Sequence, residues 1–180
     1  KQKTAYEIKD CDWSSDVCSS DLVSPQNSYY QSKFPVPKRD LDKAKALLKE
    51  AGVTGPLPVD FMVPNGVEFR SVAEVIQSMA AEAGFDLKIR LTEFATSLKQ
   101  SEEGNYQLYL IGWSGRSDPD GNSYSFLACN QPQNTAKYCD KDVDAAFAET
   151  RSKTDMAARK VAYERVTEKA LGEEIGRAHV

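Results

Sequence analysis

Apolar and polar positions change rhythm several times along the chain. In RDLDKAKALLKEAG, apolar Leu41, Ala44, Leu47 and Leu48 recur at helical spacing, with Asp40 or Asp42 as N-cap and Gly52 as the stop. PLPVDFMVP is short, β-branched and bounded by prolines, which predicts a strand. EFRSVAEVIQSMAAEAG places Phe69, Val72, Ala73, Val75, Ile76 and Met79 on one helical stripe. FDLKIRLTEF then alternates Phe85, Leu87, Ile89 and Leu91 against Asp86, Lys88, Arg90 and Thr92, the period of two of a strand.

A short helix over 95–102 leads into YQLYLIGW, where Leu108 to Ile111 is continuously apolar and suits a central strand. Two helices follow a polar loop, roughly at 142–151 and 155–171. Strands alternating with helices predict an α/β fold built on a mostly parallel sheet flanked by helices. Ligands of such sheets sit beyond the carboxyl ends of the strands. VPNG, containing Asn65, and GWSGRSDPDG, running from Gly112 to Gly121, both lie at such ends.

Two stretches stand apart from this pattern. DWSSDVCSSDL, ending at Leu22, back-translates to a common short-read sequencing adapter, and EIGRAHV, from Glu174, to the reverse complement of its inner end. Residues 1–22 are therefore expected to be non-native or adapter-derived, 174–180 an adapter-derived tail, and 23–173 the native portion. This division removes His179, the only histidine, together with Cys11 and Cys18, and leaves Cys129 and Cys139. It leaves 19 basic and 21 acidic residues, a net charge of −2 that gives no sign of a nucleic-acid or anionic-membrane surface. About 150 residues suffice for one domain with one real core. No apolar run approaches the ~20 residues of a membrane span. SPQNSYYQSKFPVPKRD, rich in Pro and Ser, reads as a hinge or linker.

The candidate chemistry gathers after the third strand. Trp113, between Gly112 and the Ser114–Gly115 pair, is either a core residue before a tight turn or an exposed apolar wall carrying one donor. Asp118, Asp120 and Asn122 resemble half of a calcium loop. Pro119 and the lack of a downstream bidentate Glu argue against it, so the carboxylates are expected to accept from backbone donors in a turn or from Arg116. Without histidine, a GxSxG elbow or a P-loop, the native portion carries no recognisable catalytic, metal or cofactor motif. Cys129 and Cys139 bracket a polar loop and are either a disulfide or two buried thiols.

LDKAKALLKEAG, the run from Glu68 through FDLKIRLTEFATSLKQSEEGNYQLYLIGWSGRSDPDGNSYSF, and the later pattern of C, KYCDKDVDAAFAETR, D, R and Y together resemble the C-terminal lobe of family 5 extracellular solute-binding proteins of bacterial ABC transporters. The resemblance covers essentially all of 23–173. It implies a lobe of the class II periplasmic-binding-protein type, incomplete here, from a periplasmic or lipid-anchored receptor. Such a receptor closes on a peptide or peptide-like solute and delivers it to a membrane permease. The N-terminal lobe, signal sequence and closing crossover would lie outside this chain. It implies no enzyme activity and no cofactor, with a small solute, the permease and the N-terminal lobe as partners and no nucleic acid.

The resemblance also implies a Cys129–Cys139 disulfide and a ligand-binding set of Asn65, Trp113, Ser114, Gly115, Arg116, Asp118 and Asp120. Two positions depart from the dipeptide pattern: Arg116 stands where the dipeptide receptors have an aspartate for the α-ammonium, and VPNGVE lacks their arginine for the carboxylate. An arginine there turns the local preference toward an anionic group. The other reading is that Arg116 pairs within its own loop and the pocket is neutral. Two further classes stay open at this point: an enzyme, or a regulator's sensory domain, whose functional groups lie outside the chain.

Overall fold

A computed structural model describes residues 27–30, 39–112, 114 and 116–172. The expected adapter-derived segments, 1–22 and 174–180, lie outside the described residues, as do Trp113 and Gly115. The chain divides into two compact units, one built from 1–36 with 114–179 and the other essentially from 37–113. Each has its own core, where length alone predicts one.

The second unit alternates strand and helix as expected. Its elements are α1 (Leu41–Glu50), β1 (Leu57–Pro64), α2 (Val67–Ala83), β2 (Phe85–Thr92), α3 (Phe94–Glu102) and β3 (Leu108–Tyr109). The Asp40 carboxylate accepts from the Lys43 N–H at 2.9 Å and so caps α1. Gly84, at φ +104°, turns the chain from α2 into β2, and a Cβ there would also meet Leu48 at 3.1 Å.

All strand pairs are parallel, in the order β2-β1-β3. The apolar run at 108–111 thus contributes a two-residue strand beside β1, not the central strand that its composition predicts. β1 is central, and its Pro58 is tolerated because β3 flanks only Phe61 and Met62. Alternation divides β1 between two faces. Phe61 and Val63 pack with Leu87 and with Ala73, Phe69 and Ile76 of α2. On the other face Arg90 donates to both oxygens of Asp60, at 2.7 to 3.1 Å, and to Gln100 of α3 at 2.7 Å. Ser97 of α3 hydrogen-bonds the Tyr109 hydroxyl at 2.8 Å.

The first unit is helical where described: α4 (Asp120–Leu127), α5 (Lys141–Ser152) and α6 (Met156–Gly172), with a turn at Asn27–Tyr30. Val143, Ala146 and Phe147 of α5 meet Tyr163, Val166 and Ala170 of α6 at helical spacing, joined by Tyr29 and Leu127. Phe147 is fully buried and stands edge-on to Tyr124 at 5.3 Å. Cys129 and Cys139 form a disulfide with Cα atoms 4.5 Å apart. Inside its loop, buried Asn134 donates to the carbonyls of Ala128 and Tyr138 and accepts from the Tyr138 N–H.

Phe147→Ala is expected to lower the unfolding free energy of the first unit by about 3–5 kcal/mol. Urea denaturation followed by near-ultraviolet circular dichroism measures it.

Candidate functional site

Because the three strands are parallel, their carboxyl ends lie on one side of the sheet. Asn65 follows β1 there; its N–H donates to the Thr92 carbonyl at 2.8 Å, and its side chain is exposed. Around these ends Val67, Phe94 and Ile111 are exposed apolar residues. A Cβ on Gly112 would meet the Phe69 ring at 3.4 Å, an ordinary contact. Exposed apolar residues and the exposed Asn65 thus lie just beyond the carboxyl ends of the strands in the second unit.

The loop read from the sequence begins the first unit's second segment. It is shorter than GWSGRSDPDGNSYSF suggests, because α4 starts at Asp120. Arg116 is held by its backbone: its N–H donates to Asn122 Oδ1 and its carbonyl accepts from Asn122 Nδ2, both at 2.7 Å. Its guanidinium donates to the Ser114 carbonyl at 2.8 Å and to the Ser114 hydroxyl at 3.0 Å. Ser114 and Arg116 are both exposed.

The two aspartates meet arginines that sequence reasoning assigned no role. Asp118 accepts from Arg159 of α6, with both oxygens at 3.0–3.1 Å, and its Oδ1 also accepts the Asp120 N–H at 2.9 Å, in keeping with the turn expected here. Asp120 accepts from Arg151 of α5 at 3.1–3.3 Å. The Arg151 guanidinium lies 3.6 Å over the Tyr124 ring. ETR, R and Y at Arg151, Arg159 and Tyr163 stood in the resemblance as bare letters; the Arg159–Tyr163 spacing of four was the available signal.

Electrostatics follow these contacts. Burial alone would raise the Asp118 carboxyl, but the Asp120 N–H, Arg159 and Tyr163 outweigh it and hold the group below the usual carboxylate range. Arg159 and Arg151 are raised, chiefly by their hydrogen bonds to Asp118 and Asp120. Asp140 is lowered, first by the Val143 N–H that it caps and also by Lys169. Cys129, Cys139 and Asp144 converge, but the two sulfurs are bonded to each other, and Asp144 accepts the Cys129 N–H at 3.0 Å.

A carboxyl lowered on folding adds stability that is complete above its unfolded value, about 3.9 for Asp, and that is lost as pH falls through the folded value. With Asp118 and Asp140 both lowered, thermal melts should change little from about pH 7 to 5 and lose Tm below about pH 4. Asp118→Asn should lower Tm at neutral pH and flatten part of the acid decline.

The family model for bacterial extracellular solute-binding proteins, family 5, middle region, matches residues 17–134. Di/tripeptide-binding protein 4 of Pseudomonas aeruginosa is 36% identical over 134 residues, which are 69% of this chain and 25% of that protein. The dipeptide-binding protein of Escherichia coli is 31% identical over 152 residues, 79% of this chain and 28% of its own length. Among solved structures, the periplasmic binding protein DppA of Helicobacter pylori in complex with the peptide STSA aligns with a TM-score of 0.70 at 26% identity, covering 81% of this chain and 30% of that one. HbpA2 of Haemophilus parasuis aligns with a TM-score of 0.72 at 29% identity, covering 78% and 29%. The chain spans between a quarter and three tenths of the length of these relatives. Fold, order of elements and family match agree: the chain belongs to the family 5 bacterial extracellular solute-binding proteins.

Proposed function

We propose that this chain is part of a receptor that captures a peptide or peptide-like solute for ABC-type import, binding it without chemical change. The reading places the whole receptor in the periplasm or on a lipid anchor outside the membrane. Its partners are an N-terminal lobe of the same parent chain, which completes the cleft, and a membrane permease. Binding free energy drives closure because the closed state makes contacts to the solute that the open state lacks.

The observation that carries this reading is the Ser114–Asp120 loop, whose two carboxylates are engaged by α5 and α6 while Ser114 and Arg116 stand exposed. In this account Ser114 and Arg116 face the ligand, and Asp118 and Asp120 hold the loop in place. Relatives named for dipeptides and for di- and tripeptides supply the solute class. Arg116 sets a preference within it: a guanidinium offers forked donors to a carboxylate, so the favoured solute carries an anionic group near this loop.

A second reading draws on the hydrogen bonds from Arg116 to Ser114. Here Arg116 braces its own loop and the pocket is neutral. Calorimetry on the full-length parent separates the two. The first predicts that Arg116→Ala weakens an acidic peptide by tenfold or more while leaving a neutral one within about twofold, a difference of roughly 1 kcal/mol. Equal losses for both peptides, or no loss, support the brace.

A further inference from the structure

One guanidinium at the base of the loop has more partners than an ion pair requires. Arg159 donates through Nε to the Thr150 carbonyl at 3.0 Å, through one terminal nitrogen to the Tyr29 hydroxyl at 2.8 Å, and through the other to both oxygens of Asp118. The Tyr163 hydroxyl lies 3.5 Å from that last nitrogen. The guanidinium thus spans the end of α5, the loop, and a turn far away in sequence. Its side chain is only 20% exposed, so these bonds are partly screened from water.

The turn at Asn27–Tyr30 is built to receive it. Tyr29 is buried and stands edge-on to Tyr163 with ring centres 5.5 Å apart. Asn27 accepts the Tyr29 N–H at 3.0 Å, its carbonyl accepts the Tyr30 N–H at 2.9 Å, and its amide donates to the Ser117 carbonyl at 2.8 Å. The turn therefore holds the loop at two adjacent residues: Ser117 directly and Asp118 through Arg159. It precedes the point where the chain leaves the first unit, and the loop begins where the chain returns.

We infer that Tyr29 and Arg159 are positioning residues for the Ser114–Asp120 loop: the seated tyrosine orients the guanidinium, the guanidinium fixes Asp118, and loop geometry and ligand affinity follow. The link to affinity rests on the ligand-facing reading of this loop. Neither side chain need touch the solute. Asp118 transmits the hold because the oxygen facing Arg159 also accepts the Asp120 N–H that opens α4, and Asn122 of α4 in turn fixes the backbone of Arg116. A lysine at 159 cannot reproduce this, since its donors radiate from one atom and do not form a planar fork.

Amide hydrogen exchange on the 180-residue chain tests the clasp without a ligand. Tyr29→Phe keeps the buried ring and removes the hydroxyl; Arg159→Lys keeps the charge and removes the fork. Both should speed exchange at the Arg116 and Asp120 amides by about tenfold or more, with mid-helix amides of α5 and α6 unchanged in Tyr29→Phe. Unchanged protection at those two amides, or a rise matched throughout α5 and α6, would overturn the proposal. Trialanine titration of the full-length parent and its Tyr29→Phe variant tests the link to affinity: weakening by fivefold or more in Tyr29→Phe is expected, and equal affinity in both proteins would refute it. A full-length wild-type receptor that binds no trialanine counts against the peptide reading, and the exchange data still decide the clasp.

Discussion

The first unit depends on where the guanidinium of Arg159 is placed. It is the point at which α5, α6, the Asn27–Tyr30 turn and the loop beginning at Ser114 are fastened to one another. Packing alone brings α5 and α6 together, since Phe147, Val143, Tyr163 and Val166 would bury their surface against almost any apolar partner. Directional bonds decide how the polar loop is laid upon that pair. Five donors in a rigid plane, partly withdrawn from water, are suited to this because each unmade bond would leave a desolvated donor.

A different constraint governs the second unit. Parallel pairing puts every strand's carboxyl end on one side, so Asn65, Phe94 and Ile111 share an edge although they are far apart in sequence. Helices α2 and α3 cover opposite faces of the sheet, one through an apolar stripe and the other through the Asp60–Arg90–Gln100 network and Ser97. The covered faces leave that edge as surface on which function can vary without disturbing the core.

The repeating parts of this architecture were legible in the sequence. Period-two alternation in FDLKIRLT and the helical stripe of VEFRSVAEVIQSMA each matched the element that formed, although burial departs from the pattern at the ends, where Leu91 and Met79 are exposed and Thr92 is buried. Asp40 capped α1 for the same local reason. Two elements were not legible. DGNSYSFL is poor in helix formers, yet it is α4: Arg151 and Arg159 fix Asp120 and Asp118 at its start, and the Ser123 hydroxyl returns to the Pro119 carbonyl at 2.7 Å. Leu108 to Ile111 has the composition of a central strand, but only its first two residues form one, and β1 takes the centre. Of the polar loop, only its start after the apolar run was legible in the sequence. The partners of Asp118 and Asp120 were not, since they lie 41 and 31 residues downstream on helices whose registers only the tertiary structure sets.

In the reading proposed above, the Ser114–Asp120 loop, seated by Arg159, meets the solute. Nitrogen–proton correlation spectra of the 180-residue chain, recorded while a short acidic peptide is added, test it most directly, because they report even weak binding residue by residue. The account predicts that the amide signals of Ser114 and Arg116 move together and saturate with one affinity. Signals that move instead at the outer edge of β2 or along α5 and α6, with those two unchanged, would contradict it.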